Sequence, residues 1–261
     1  MDFSRFSMEG RVVIITGGSG GIGMGCARAF ADVGANIVIV GVPAESIPPA
    51  VAEIEARGVQ ALGVVANVSV AAEVDAMVAQ TLERFGRIDT LVNIAGGTYS
   101  RNPEMPQFTR APLLELDETD FMTAFDANVK TAFLCAKAVV PHMKQLGKGS
   151  IINTGSSSGL RVTKGPGDLA TYGSAKAAVH ALTARMAAQW GPEVRVNCIA
   201  PGTIDTPRPA GTVRPEMATA ADRIPMGRVG YADDIGGVAV FLASDAAGFV
   251  SGQTLPVTGG E

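Results

Sequence analysis

Short apolar segments alternate with longer amphipathic segments along almost the whole chain. The short segments are rich in β-branched residues and apolar without a break, which predicts strands buried on both faces. Segments with helical periodicity separate them, and this alternation requires a parallel sheet with helices on both sides. We therefore predict an α/β fold: a single-domain, Rossmann-like, doubly wound and mostly parallel seven-stranded sheet. The predicted strands are 12–16, 37–40, 62–65, 91–93, 151–154, 194–199 and 254–257, and the predicted helices are 21–33, 48–57, 70–85, 117–146, 171–190 and 233–243.

The length of the chain is compatible with one large core. It has 261 residues, of which 47% are hydrophobic, and no repeat or linker divides it. We therefore expect residues 1–261 to form one domain. Three turn-rich stretches, 97–112, 155–170 and 201–225, each follow a predicted strand. Ligands of open α/β sheets bind at the carboxyl ends of the strands, so these stretches are predicted to surround a ligand.

Charge and hydropathy exclude several classes of protein. The formal net charge is -4 and the basic residues are scattered, so we expect no nucleic-acid partner. The first ten residues mix charged and apolar side chains, unlike a signal peptide. No window approaches the roughly 18 consecutive apolar residues of a membrane span. We expect no membrane association and a cytoplasmic location.

The cysteines and histidines do not suggest a metal site. Cys26, Cys135 and Cys198 lie far apart in apolar patterns, and neither His142 nor His180 has a carboxylate or cysteine near it in sequence. We therefore predict no bound metal and no disulfide. All three cysteines are expected to be buried packing residues.

A glycine-rich turn follows the first predicted strand. It contains Gly17, Ser19, Gly21, Ile22 and Gly23, and it leads directly into the first predicted helix. Glycines let the backbone approach a pyrophosphate closely, and the helix N-terminus then faces the anion. An ordinary tight turn is the alternative, but the complete strand, helix and βαβ context favours a dinucleotide site.

Tyr172 and Lys176 are one helical turn apart, so the phenol and the ammonium share a helix face. A free tyrosine has a pKa near 10, which is too high for a base at neutral pH. A cation about 5 Å away, at an effective dielectric constant near 20, favours the phenolate by roughly 3 kcal/mol, or about two pKa units. The pair therefore predicts a proton-transfer site, although such spacing alone often marks a mere surface pair.

Further motifs accompany this pair at the carboxyl ends of predicted strands. They are GSSSG at 155–159, NIAG at 93–96 and NCIAPG at 197–202. Together with the glycine-rich turn and Tyr172–Lys176, this ordered set resembles the short-chain dehydrogenase/reductase family. The resemblance runs from about residue 11 to residue 260.

The resemblance implies a role for each matching residue. Tyr172 would be the catalytic acid/base, Lys176 would supply the ammonium and bind the nicotinamide ribose, and Ser156 would bond the reacting oxygen. Asn128 would hold a proton-relay water behind the lysine; the alternative is a helix residue that faces solvent. The implied cofactor-binding residues are Gly17, Ser19, Gly21, Ile22, Gly23, Gly41, Asn67, Val68, Asn93, Ala95, Gly96, Tyr172, Lys176, Pro201, Gly202, Ile204 and Thr206, among which Asn93 would support the cofactor-side strand.

The implied activity is interconversion of a secondary alcohol and a ketone by hydride transfer with NAD(P). A non-catalytic regulatory or scaffold protein on the same fold is the alternative, since fold alone does not fix function. Position 41 is a glycine, so no acidic side chain there can bind the ribose hydroxyls. Val42 and Pro43 are not basic, so neither can pair with a 2′-phosphate. We therefore expect a modest preference for NAD over NADP. Asn67 stands where an aspartate commonly meets the adenine.

The sequence indicates less about the substrate and the oligomeric state than about the reaction. The basic residues of the substrate loops would suit an anionic substrate or be plain surface charge, whereas Leu160, Val162 and Met217 would suit an apolar ketone. We expect a homo-oligomer, a tetramer as is common in the family, because the helix 171–190 is apolar nearly all round, with Val179, Leu182 and Met186. The apolar residues expected to face this helix across a two-fold axis are Phe125, Val129, Phe133 and Ala136 on the preceding helix. The basic residues of the substrate loops are Arg101, Arg110, Arg161, Lys164, Arg208 and Arg214.

Overall fold

A parallel seven-stranded sheet with the strand order β3-β2-β1-β4-β5-β6-β9 forms the centre of the molecule. The computed structural model describes residues 3–97, 113–161, 169–206 and 219–261. Every strand pairing in this sheet is parallel, which confirms the predicted α/β architecture. Its strands are β1 (Val12–Thr16), β2 (Asn36–Gly41), β3 (Ala61–Val65), β4 (Thr90–Asn93), β5 (Gly149–Thr154), β6 (Val194–Pro201) and β9 (Thr254–Val257).

Helices cover both faces of the sheet. Alternate residues of β1 point to opposite sides: Val13 and Ile15 join one hydrophobic core, and Val12 and Ile14 join the other. Helices α1, α2 and α7 pack on the first side, and α3, α5 and α6 pack on the second. The described helices are α1 (Gly21–Asp32), α2 (Ile47–Glu55), α3 (Ala71–Phe85), α4 (Glu118–Phe125), α5 (Thr131–Gln145), α6 (Ala170–Trp190) and α7 (Ala232–Ala243).

The predicted uniform helix over 117–146 is wrong in one respect. A π-helical segment, Asp126–Lys130, joins α4 to α5. A capping box holds the first turn of α4: the Asp117 side chain accepts a hydrogen bond from the Asp120 backbone N–H, and the Asp120 side chain accepts one from the Asp117 backbone N–H. Because a π-helical segment adds a residue to the turn, it changes which side chains face inward beyond it.

A small second sheet was not predicted. Strand β7 (Ile204–Asp205) pairs in parallel with β8 (Gly230–Tyr231), so residues 204 and 205 of the turn-rich stretch 201–225 form a short strand. Ile204 is 7% exposed and belongs to the core on the α1 side. The ribbon therefore fixes the chain that leaves β6.

The predicted oligomer surface is wrong at one residue. Ala136 has no exposed surface and belongs to the core beneath α5, so it cannot reach a partner. Phe133, three residues earlier, is 43% exposed. No helix in the described parts of the chain is both long enough and apolar enough to cross a membrane.

Candidate active site

The site lies where the strand order of the sheet reverses, at the carboxyl ends of β1 and β4. Thr16 and Asn93, the last residues of these strands, are in register. The Thr16 hydroxyl accepts hydrogen bonds from the backbone N–H groups of Ile94 and Ala95, both at 3.1 Å. Thr16 was missed in the sequence; a hydroxyl at the last position of a strand beside a switch point was the available signal.

The glycine-rich turn is built for close backbone approach. Gly17 has a φ of 65°, and a Cβ there would lie 3.1 Å from the Ala95 nitrogen. A Cβ at Gly23 would collide with the Gly17 carbonyl oxygen. Helix α1 begins at Gly21, and no side chain caps it at Gly20. Its first N–H groups are thus available to an anion, as the phosphates of a dinucleotide require.

The structure brings several predicted cofactor residues together around this turn. An ideal Cβ on Gly21 would be 3.5 Å from Thr206, so the 201–206 segment lies against the start of α1. An ideal Cβ on Gly41, at the end of β2, would also be 3.5 Å from the Ser19 hydroxyl, which is 2.9 Å from that of Ser46. The glycine-rich turn thus lies against the end of β2 on one side and the segment after β6 on the other.

Three other residues predicted to bind the cofactor lie at the carboxyl ends of β3 and β4. Asn67 lies beyond β3, where its side-chain oxygen accepts from the Ser69 hydroxyl at 2.7 Å, and Val68 is 6% exposed. Asn93 is buried, and its amide donates to the Asn153 side chain at 3.0 Å. The Asn93 oxygen has no described partner. Asn93 therefore supports the ends of β4 and β5 from within the protein.

Ser156, Tyr172 and Lys176 form one cluster at the carboxyl end of β5. Ser156 follows β5 and caps the 3-10 turn Ser157–Gly159. Tyr172, in the first turn of α6, shares a hydrogen bond with Ser156. The Lys176 ammonium lies 5.6 Å from the centre of the Tyr172 ring and donates to the Thr154 carbonyl oxygen at 2.7 Å. The helical spacing and the strand end thus place all three side chains at one point.

The pKa shift of Tyr172 differs from the one predicted for the Tyr172–Lys176 pair. Burial raises the pKa of the Tyr172 phenol, and the hydrogen bond with Ser156 offsets this only in part. Burial also lowers the pKa of the Lys176 ammonium, to about 8. The predicted lowering of the tyrosine pKa by Lys176 is therefore absent from the protein alone, because desolvation acts on both groups.

Asn128 lies in the π-helical segment and is 2% exposed, which excludes the solvent-facing alternative. Its amide donates to the carbonyl oxygens of Ala124 at 3.0 Å and Gly97 at 3.2 Å. Its oxygen accepts from the Gly97 N–H at 2.8 Å. A Cβ at Gly96 would be 2.7 Å from that oxygen. Asn128 thus clamps the segment that follows β4, and its described bonds do not reach Lys176.

The segment after β6 is held by contacts with β9 and the C-terminal residue. Pro201 ends β6 in a buried position, and the Gly202 N–H donates to the Val257 carbonyl oxygen at 3.0 Å. Glu261 accepts from the N–H and hydroxyl of Thr203, both at 3.2 Å, and lies 3.8 Å from the Arg161 guanidinium. No local sequence pattern indicates this link.

The loop residues predicted to meet substrate are only partly described. Leu160 is 48% exposed, and Arg161 is paired with Glu261. The remaining ones lie outside the described residues: Arg101, Arg110, Val162, Lys164, Arg208, Arg214 and Met217.

The cysteines take no visible part in the site. All three are buried, as predicted, and burial raises the pKa of the Cys26 and Cys135 thiols to about 12 and of Cys198 to about 11. Within the described residues, no group of His, Cys, Asp and Glu side chains could hold a metal ion.

Comparison with known proteins agrees with this geometry. Residues 17–261 match the family model described as enoyl-(acyl carrier protein) reductase. The chain is 40% identical to the (2S)-((R)-hydroxy(phenyl)methyl)succinyl-CoA dehydrogenase subunit BbsD of Thauera aromatica, over 97% of each chain. It is 34% identical to the 3-oxoacyl-(acyl-carrier-protein) reductase FabG of Thermotoga maritima, over 97% of this chain and 98% of that one. A solved 7α-hydroxysteroid dehydrogenase, complexed with NADH and 7-oxo glycochenodeoxycholic acid, superposes with a TM-score of 0.89 at 32% identity, covering 100% of this chain and 97% of that one.

Proposed function

The chain belongs to the short-chain dehydrogenase/reductase family, and on that basis we propose that it interconverts a secondary alcohol and a ketone with a nicotinamide cofactor. The cluster of Ser156, Tyr172 and Lys176 beside the glycine-rich turn carries this proposal. Nucleotide binding alone needs no such proton-transfer group. As a member of this family the protein is an oxidoreductase; its nicotinamide cofactor, its alcohol and ketone substrates and the acid/base role of Tyr172 are what we propose.

In the oxidation direction, Tyr172 takes the proton of the substrate hydroxyl while the carbinol carbon loses a hydride. The C=O double bond forms as the O–H and C–H bonds break, and ketone reduction is the reverse. A bound nicotinamide supplies the acceptor or donor of the hydride. Ser156 donates a hydrogen bond to the reacting oxygen, and this orients the substrate against the phenol.

To take up a proton Tyr172 must be a phenolate, and burial of the ring disfavours that form. We assign the Lys176 ammonium, 5.6 Å from the centre of the ring, the role of offsetting part of this cost. With a pKa of about 8, Lys176 is mostly protonated at neutral pH. We assign it the ribose contact as well, and we assign Asn128 the support of the segment after β4 together with a relay water behind the lysine.

The surroundings of Gly41 support a preference for NAD. A 2′-phosphate normally needs a basic partner to offset its lost hydration. The neighbours of a Gly41 Cβ are Ser19, Ile47 and Gly17, none of them basic. Arg28 on α1 and Arg57 just after α2 are engaged in ion pairs: Arg28 binds Asp233 at 2.6 Å and Glu53 at 3.4 Å, and Arg57 binds Asp32. No acidic side chain occupies Gly41 to repel the phosphate, so the preference is modest.

A substrate panel tests the proposal. The purified protein is incubated with NAD or NADP and with cyclohexanol, a hydroxysteroid and 3-hydroxybutyryl-CoA, because the names of similar proteins include ring alcohols, steroids and acyl thioesters. We expect turnover of at least one alcohol, faster with NAD, seen as absorbance of reduced nicotinamide. Calorimetric binding of NADH without turnover of any alcohol or ketone would favour the scaffold alternative.

A further inference from the structure

The imidazole of His180 fills the inside of the loop that carries Ser156. His180 lies on α6, one turn beyond Lys176 and two turns beyond Tyr172. A Cβ at Gly155 would collide with His180 Nε2, and a Cβ at Gly159 would be 2.9 Å from its Cε1. The two glycines that bracket the serines therefore leave room for this ring.

The imidazole is also bonded to the loop. Its Nε2 accepts a hydrogen bond from the backbone N–H of Ser156 at 3.3 Å, and the backbone of Gly159 bonds the same ring. The other loop bonds are internal or reach the sheet: Gly155 N–H donates to the Ile199 carbonyl oxygen at 2.8 Å, and Gly159 N–H donates to that of Ser156 at 3.0 Å. His180 is thus the side chain that holds the Ser156 main chain from α6.

The ring must be neutral to do this, because a protonated imidazole has no free lone pair to accept the Ser156 N–H. Burial lowers the pKa of His180, and the adjacent Lys176 ammonium lowers it further. Near neutral pH the acceptor nitrogen is therefore available.

We propose that His180 is a positioning residue that holds the Ser156 backbone, and thereby its hydroxyl, against Tyr172 and the reacting oxygen. The proposal rests on the proposed function, because it assigns Ser156 to the reaction. His180 itself touches neither substrate nor cofactor in this role; it acts through Ser156.

A matched pair of variants tests the hydrogen bond. His180→Gln can place an amide oxygen near the position of Nε2, whereas His180→Asn is too short to reach it. With the alcohol of the panel that is turned over fastest, we expect kcat to fall roughly tenfold in His180→Asn and no more than about threefold in His180→Gln. The affinity for NADH should stay unchanged in both. His142→Asn, at the other histidine of the chain on α5, is the control and should match the wild type.

A double-mutant cycle separates positioning from general packing. If His180 acts through Ser156, His180→Asn should cost nothing further in a Ser156→Ala background. Equal losses in His180→Asn and His180→Gln, or a full additional loss in the Ser156→Ala background, would overturn the positioning role. An impaired Ser156→Ala beside an unimpaired His180→Asn overturns this inference alone. An unimpaired Ser156→Ala instead overturns the proposed role of Ser156, and this inference with it.

Discussion

Gly41 is the position at which we expect a side chain to change cofactor preference. It ends β2, and an ideal Cβ there would meet its nearest neighbour, the Ser19 hydroxyl, only at 3.5 Å. The position therefore accepts a side chain at ordinary contact distance. A carboxylate there would bond ribose hydroxyls and repel a 2′-phosphate.

We predict that Gly41→Asp raises the ratio of kcat/KM for NAD over NADP by roughly tenfold to a hundredfold, equivalent to about 1.4 to 2.8 kcal/mol. Gly41→Asn has the same size without the charge and serves as the matched control, and Val42→Arg should lower the ratio. Steady-state kinetics with both cofactors gives the answer. A similar ratio in Gly41→Asp and Gly41→Asn would show that the charge does not face the ribose.

Single residues also show what the sequence can and cannot predict. Tyr172, Lys176 and Ser156 were predictable because their helix spacing and strand-end position leave a local pattern. His180 and Glu261 contact the 155–159 and 203 segments, which are distant in sequence, so no local pattern marks them. Thr16 contacts the 94–95 segment, and its position at the end of a strand was its one local signal. The direction of the Tyr172 pKa was predicted wrongly because desolvation depends on tertiary packing.

At the scale of elements, the strands were predicted well and the join between helices was not. Uninterrupted apolar runs identify the inner strands β1, β2, β4, β5 and β6, since both faces of these strands are buried, whereas the edge strands β3 and β9 are apolar but partly exposed. The π-helical segment at Asp126–Lys130 has no distinct periodicity over so few residues, yet it is the element that presents Asn128 to the Gly96–Gly97 backbone. The two-residue strands β7 and β8 are likewise too short to leave a pattern.

An ion network joins the start of β1, the start of β5 and the end of α7. Asp245 binds Arg11 at 2.7 Å and Lys148 at 2.5 Å. Beside it, Arg195 donates to the carbonyl oxygens of Leu242, Ala243, Ser244 and Val250. Burial raises the pKa of Asp245, but the bonds and charges of Arg11 and Lys148 outweigh burial and lower it to about 2.

This network predicts a defined acid sensitivity. The folded-state pKa of Asp245 lies below its ordinary value of 3.8, so the unfolded state binds more protons between those values. The stabilising contribution is present above about pH 4 and is lost as the pH falls toward 2. Between about pH 4 and 2, the urea midpoint of the wild type should fall more steeply than that of Asp245→Asn, with Asp75→Asn on the surface of α3 as control. Parallel pH profiles for all three proteins would contradict this.

At the scale of the whole molecule, α5 and α6 present a strip of small and apolar side chains to solvent. Phe133 is 43% exposed. The exposed alanines of α6 recur at helical spacing on one face. They are Ala177, Ala181, Ala184 and Ala188.

We predict that a second copy of the chain covers this strip and that the protein is a homo-oligomer, with a tetramer expected. Ala184→Arg should shift the mass in light scattering to a smaller species, because it places a charge in the contact. Ala79→Arg, on the exposed side of α3, should leave the mass unchanged. A monomeric wild type at micromolar concentration would contradict the prediction.

Proton transfer by Tyr172 is the central claim, and a single substitution tests it most directly. Tyr172→Phe removes the transferable proton and keeps the ring, and Tyr231→Phe, at an exposed tyrosine, is the control. We predict that kcat of Tyr172→Phe falls at least about 100-fold while the affinity for NADH stays within about threefold of the wild type. A Tyr172→Phe enzyme that keeps more than about a hundredth of the wild-type kcat would contradict the acid/base role of Tyr172.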